Sequence, residues 1–147
     1  MDGRAPGWVR LGVGLTLAAP QLVIGLWAVL APHRWFDSFP GFDPRLVAAE
    51  QPYNRHLASD TGAGFLAIGV ALLVAAMWAN RGALVISLVA YAAFTLPHAL
   101  YHAVHPADAL SGAQDLMNVL TIASGLALAA VFARATTSRR ANEPSHA

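Results

Sequence analysis

Residues 61–79 read TGAGFLAIGVALLVAAMWA and carry no charged side chain. A helix needs roughly 20 apolar residues to cross ~30 Å of hydrocarbon. Within lipid only helices and closed barrels satisfy their own backbone groups, and a barrel strand is about half this length. The stretch therefore predicts a transmembrane helix. Residues 11–31, 83–101 and 116–133 have the same character. The expected fold is all-α: one integral membrane domain over 1–135, a bundle of four transmembrane helices. Residues 32–60 form its long extracytoplasmic loop, and 136–147 a polar, disordered cytoplasmic tail. The first stretch is too long for a signal peptide, and Pro32 follows Ala31, the only small residue suited to cleavage.

Composition agrees with this reading. The 147 residues are 56% hydrophobic and 12% charged, against about 25% charged in a soluble domain. So little charge cannot cover a water-facing surface, and the lipid bilayer is the expected partner. A formal net charge of +1 leaves no strongly basic surface for nucleic acid. The absence of cysteine excludes disulfides, thiolate metal sites, a cysteine nucleophile and covalently attached c-type haem. There is no phosphate-binding glycine loop, nucleophile elbow or His-Glu-x-x-His element. Ser59, Ser111 and Ser124 have no context that would activate a hydroxyl.

Basic residues set the orientation. Arg4, Arg10, Arg81, Arg134, Arg139 and Arg140 fall on one side of a four-span topology. The long loop balances Arg34, Arg45 and Arg55 with Asp37, Asp43 and Glu50. The positive-inside rule then places both termini in the cytoplasm of a multi-pass protein of a bacterial inner membrane. Trp8 and Trp78 are expected at the inner interface, and Trp35, Phe36, Phe39 and Phe42 at the outer one.

Lipid gives helices no hydrophobic reason to associate, so small residues at close contacts matter most. Expected stripes are Gly14, Ala18, Gln21, Gly25 and Ala28 on helix one, and Gly64, Ala67, Ala71 and Ala75 on helix two. On helix four the stripe is Asn118, Thr121, Gly125 and Ala129. Pro20 and Pro97 each remove a backbone hydrogen bond and are expected to kink their helices.

Polar residues are costly in a membrane, so their placement is informative. Tyr91, Thr95, His98, His102 and His105 recur at intervals of four and three, forming one helical stripe. Counted from the inner arginines at 1.5 Å per residue, His98, His102, Asp60, Asp115 and Asn118 all lie ~24–31 Å up. His56, Asp60, His98 and His102 are therefore expected to share a transition-metal or redox site for Zn, Cu or Fe. His33, Asn54, Tyr101, His105, Asp115 and Asn118 would surround it. Axial ligation of haem b by histidines from two helices is a further option. Other readings stay open. The histidines can face water, pair with Asp60 or cap helices, and Asp60 can be a helix N-cap. Arg55 and the histidines suffice for a proton relay or an anionic-substrate site. The chain can also be a non-catalytic accessory or scaffold subunit of a larger membrane complex, or a homo-oligomer. A small transporter or lipid-handling protein completes the set, and whether the chain is an enzyme is left open.

The segment Tyr53-Asn54-Arg55-His56-Leu57-Ala58-Ser59-Asp60-Thr61-Gly62-Ala63, with Phe39-Pro40-Gly41 and Pro97-His98-Ala99-Leu100-Tyr101-His102, resembles a group of small four-helix membrane proteins of actinobacteria. The likeness spans roughly 35–120 and marks Asn54, His56, Asp60, His98 and His102. Arg55 stands where that group carries Glu. More distantly, the architecture is similar to DoxX-like membrane proteins. The resemblance implies the four-helix topology and carries no reaction.

Overall fold

A computed structural model describes residues 3–138. These form five helices and no strand: α1 Gly7–Leu30, α2 Pro32–Ser38, α3 Arg55–Trp78, α4 Arg81–Val104 and α5 Gly112–Thr137. The four long ones have 24, 24, 24 and 26 residues and are apolar enough to cross a membrane. Their rise of ~36–39 Å exceeds a ~30 Å hydrocarbon layer.

Three of the long helices start ahead of their apolar stretches because capping side chains set their N-terminal ends. Asn54 accepts from the Leu57 amide at 3.1 Å and starts α3 at Arg55 rather than at 61. Asn80 accepts from the Ala83 amide at 2.9 Å and starts α4. Ser111 and Gln114 form a reciprocal capping box at the start of α5. The loop expected over 32–60 therefore contains α2 and the first turns of α3, leaving 39–54 irregular. Of the tail expected from 136, Thr136 and Thr137 continue α5, and 139–147 lie outside the described residues.

Pro20 acts on α1 through a π-helical segment, Val13–Ala18, directly before it. Pro20 has no amide to bond the carbonyl of Thr16, and the wider turn accommodates that loss. Helix α4 runs through Pro97 without a break in its assignment.

The order around the bundle is α1–α3–α4–α5, every neighbour antiparallel, and α5 closes back onto α1. That closure is partial. Helix α5 meets α1 only over residues 7–18, and 19–30 of α1 rest on α3 and α2. The two ends of the bundle therefore differ. The end carrying the chain termini is closed, and α1 and α5 part toward the loops.

The closed half holds the main core. Val9, Val13, Leu17, Leu72, Leu84 and Leu88 are fully buried, flanked by Ala129 and Phe132. Arg10 donates to the Ala76 carbonyl at 2.7 Å, and Arg81 to the Arg4 and Thr136 carbonyls at 2.9 and 3.2 Å. These guanidiniums satisfy carbonyls that chain turns and helix ends leave without partners. Trp8 and Trp78 are exposed at this end.

Toward the loops, α1 and α3 touch backbone to backbone. A Cβ on Gly25 would stand 2.5 Å from the Leu66 amide nitrogen, and one on Gly62 2.7 Å from the Ala28 methyl. Of the helix-one stripe, Ala18, Gln21, Gly25 and Ala28 are buried and Gly14 is half-buried. The helix-two stripe holds in part: Ala75 is buried and Gly64 half-buried, but Ala67 and Ala71 are exposed, and Gly62, Gly69, Leu72 and Ala76 are buried instead, because the glycines permit the closer approach. On α5, Ala129 is buried and Thr121 is exposed. Trp35 and Phe36, expected at an outer interface, are instead buried with Ala28 and Ala58 in a second core under the loop. Of the four aromatics expected there, Phe42 is the one fully exposed.

Candidate functional site

Helix α4 builds a polar file. Ser87, Tyr91, Thr95, His98 and His102 lie on one face, the first three buried and both histidines half-buried. Ser87 donates to the Leu84 carbonyl at 2.9 Å. The Tyr91 hydroxyl lies against Gly125 of α5, where a Cβ would collide with it. Thr95 Oγ1 is buried without a hydrogen-bond partner, and so is Gln21 Oε1 on α1. Gln21 and Thr95 each stand 14 residues into their parallel helices, which places them at the same depth, ~21 Å from the helix starts. His98 lies edge-on to Phe65 of α3 at 6.4 Å and to His102 at 4.8 Å, between ring centroids.

The file ends on a residue that was not among the expected ligands. Glu50, from the irregular loop, reaches His102, with its Oε1 3.7 Å from Nδ1. The second core holds the loop down. Tyr53 packs edge-on to Phe36 at 5.1 Å, and Val47 packs against the same cluster. In sequence Glu50 is one of three acids balancing a loop, and nothing in its local pattern points at α4.

The other expected ligands pair elsewhere. His56 lies 3.3 Å from Asp60 one turn on, with both side chains exposed. His33 lies 2.7 Å from Asp37 and edge-on to Tyr53 at 5.0 Å. His105 leaves the α4 stripe: it stacks on Tyr101 at 4.5 Å, and its Nδ1 is 3.1 Å from the Tyr101 carbonyl. Asn54 is occupied as the α3 N-cap. The Asp115 carboxylate accepts from the Ala107 amide at 3.4 Å, and Asn118 is half-buried on α5. Among the described residues, no three His, Asp or Glu side chains come together as a group able to hold a metal ion. His56 with Asp60 and His98 with His102 are thus two pairs rather than one four-ligand centre. Helical spacing brought each pair together, but nothing local could bring the pairs to each other.

Chemically, the file offers three hydroxyls, two imidazoles and a carboxylate in series, the Thr95 hydroxyl in its middle without a partner. Such groups can pass protons or hold water. Compared with known proteins, the chain matches no family model, no curated protein and no solved structure.

Proposed function

We infer that the chain is a multi-pass integral membrane protein, both termini cytoplasmic, whose working part is a one-sided polar access path. Water and protons enter it at the outer, loop end past Glu50 and His102 and reach Thr95 and Gln21. The path stops at the apolar plug of Leu17, Leu72, Leu84 and Leu88. The observation that carries this reading is the part of the file above the plug, Thr95, His98 and His102, capped by Glu50. Two supports stand beside it. Buried oxygens without partners cost about 1–3 kcal/mol each unless water reaches them, and Gln21 and Thr95 supply two. Toward the loops α1 no longer meets α5, so the bundle is not closed there as it is at the plug. The resemblance to small actinobacterial four-helix membrane proteins supports the same topology.

The chain has no cysteine, so single cysteines can be introduced cleanly. A membrane-impermeant thiol reagent added from outside should label His102→Cys and Thr95→Cys, while Leu84→Cys stays unreactive. Equal protection of Thr95→Cys and Leu84→Cys would reject the path. A second reading places a transition metal on the His98–His102 pair alone, favoured by their four-residue spacing and the 4.8 Å between their ring centroids. Metal analysis of protein purified without chelator or polyhistidine tag decides it, less than about a tenth of an equivalent counting against it.

A further inference from the structure

A groove of about 360 Å³ opens at the loop end, outside the polar file, lined by Ala31, Pro32, His33, Arg34, Tyr53 and Arg55. Asp37 pairs with His33 of the groove itself, while Asp43, Glu50 and Asp60 pair with Arg45, His102 and His56 away from it. Among the described residues, neither Arg34 nor Arg55 has a carboxylate within 4.0 Å. Arg34 and Arg55 thus border a mostly apolar groove without a carboxylate partner of their own, and Tyr53 is held in place by His33 and Phe36.

Guanidinium forks match the oxygens of a phosphate better than a point charge does. The volume falls within the range of small-molecule sites. Two exposed leucines stand next to the groove in sequence. Leu30, in the last turn of α1, is 78% exposed, and Leu57, in the first turn of α3, is 62% exposed. A ligand with a phosphate at one end and hydrocarbon at the other matches both halves of this surface. We propose that the groove holds the phosphate of an anionic phospholipid, bound between Arg34 and Arg55, with its acyl chains descending over Leu30 and Leu57. This rests on the reading of the bundle as membrane-spanning.

The test uses the full chain purified in mild detergent and native mass spectrometry with dioleoyl-phosphatidylglycerol or dioleoyl-phosphatidylcholine. The wild type should retain one phosphatidylglycerol in preference to phosphatidylcholine. The double variant Arg34→Gln/Arg55→Gln should lose that retention by about tenfold, as expected for two charge-assisted contacts. The single variants should fall between, and they keep the test open if the double variant does not fold. Arg45→Gln, which removes an equal charge from the same loop end, should bind as the wild type does. Undiminished retention in both single variants, or equal retention of the two lipids, overturns the proposal. So does a melting temperature raised by inorganic phosphate through Arg34 and Arg55 but not by phosphatidylglycerol, which would make the groove a soluble-anion site. Resistance of the chain to alkaline carbonate extraction tests the membrane reading separately. A resistant chain that retains no lipid refutes the groove assignment alone.

Discussion

In the half of the bundle that carries the termini, four helices meet around fully buried leucines and valines, and Arg10 and Arg81 bind carbonyls at its rim. In the loop half, α1 stays on α3, α4 on α5, and α3 on α4 through Phe65, Phe94 and His98, but α1 and α5 no longer meet. There the interior carries Thr95, Gln21, His98 and His102 in place of leucine. The difference teaches how a small bundle can combine a seal with an opening. Volume complementarity closes one end. At the other, glycine contacts hold α1 to α3 so tightly that the remaining helices need not fill the space. Polar groups that would be ruinous in the plug are tolerated where water can reach them.

The comparison can be broken most severely at the glycine seam. Gly25→Leu forces a side chain onto the Leu66 backbone and should cost about 3 kcal/mol, the upper end for overpacking. Thermal unfolding in detergent measures it, and Gly14→Leu, where a Cβ meets nothing within 4 Å, is the matched control. An equal effect of the two would mean that α1 and α3 do not meet as described. A smaller loss is expected in the plug. Leu84→Ala should cost about 2 kcal/mol, the low end for a buried leucine because lipid removes part of the hydrophobic term. The plug assignment adds a sharper readout: the cavity left at Leu84 should make Leu88→Cys reactive to the external thiol reagent. The smallest effect should come from Glu50→Gln. The pair with His102 is partly exposed, so the stability change should stay below about 1 kcal/mol. The loop over 39–54 should nonetheless be cleaved faster by added protease, because its tie to α4 is gone. Unchanged cleavage would show that the aromatic core under the loop holds it unaided. His56→Ala, which removes an exposed pair, should alter neither quantity.

Much of this was readable without coordinates. Hydropathy alone marks the four helices, since each run is both long and free of charge. The polar file was legible from Tyr91 to His102 because spacings of three and four share a face whatever the helix packs against. His105 broke that pattern because it is the C-cap residue, where helical geometry ends. The small-residue stripe was legible on α1 but only in part on α3. Both faces of α3 contain glycine and alanine, and periodicity cannot say which one a neighbour approaches. Trp35 and Phe36 were misplaced for a similar reason. An aromatic after a transmembrane helix suits an interface and a local core equally well.

The sequence by itself determined the four long apolar helices and the His56–Asp60 turn, because each depends on residues within a few positions of one another. The cyclic order of the helices, the parting of α1 from α5 and the reach of Glu50 to His102 were decided only by tertiary structure. So was the meeting of Arg34 with Arg55 across one groove. These depend on which surfaces exclude each other's atoms, and no local spacing encodes that.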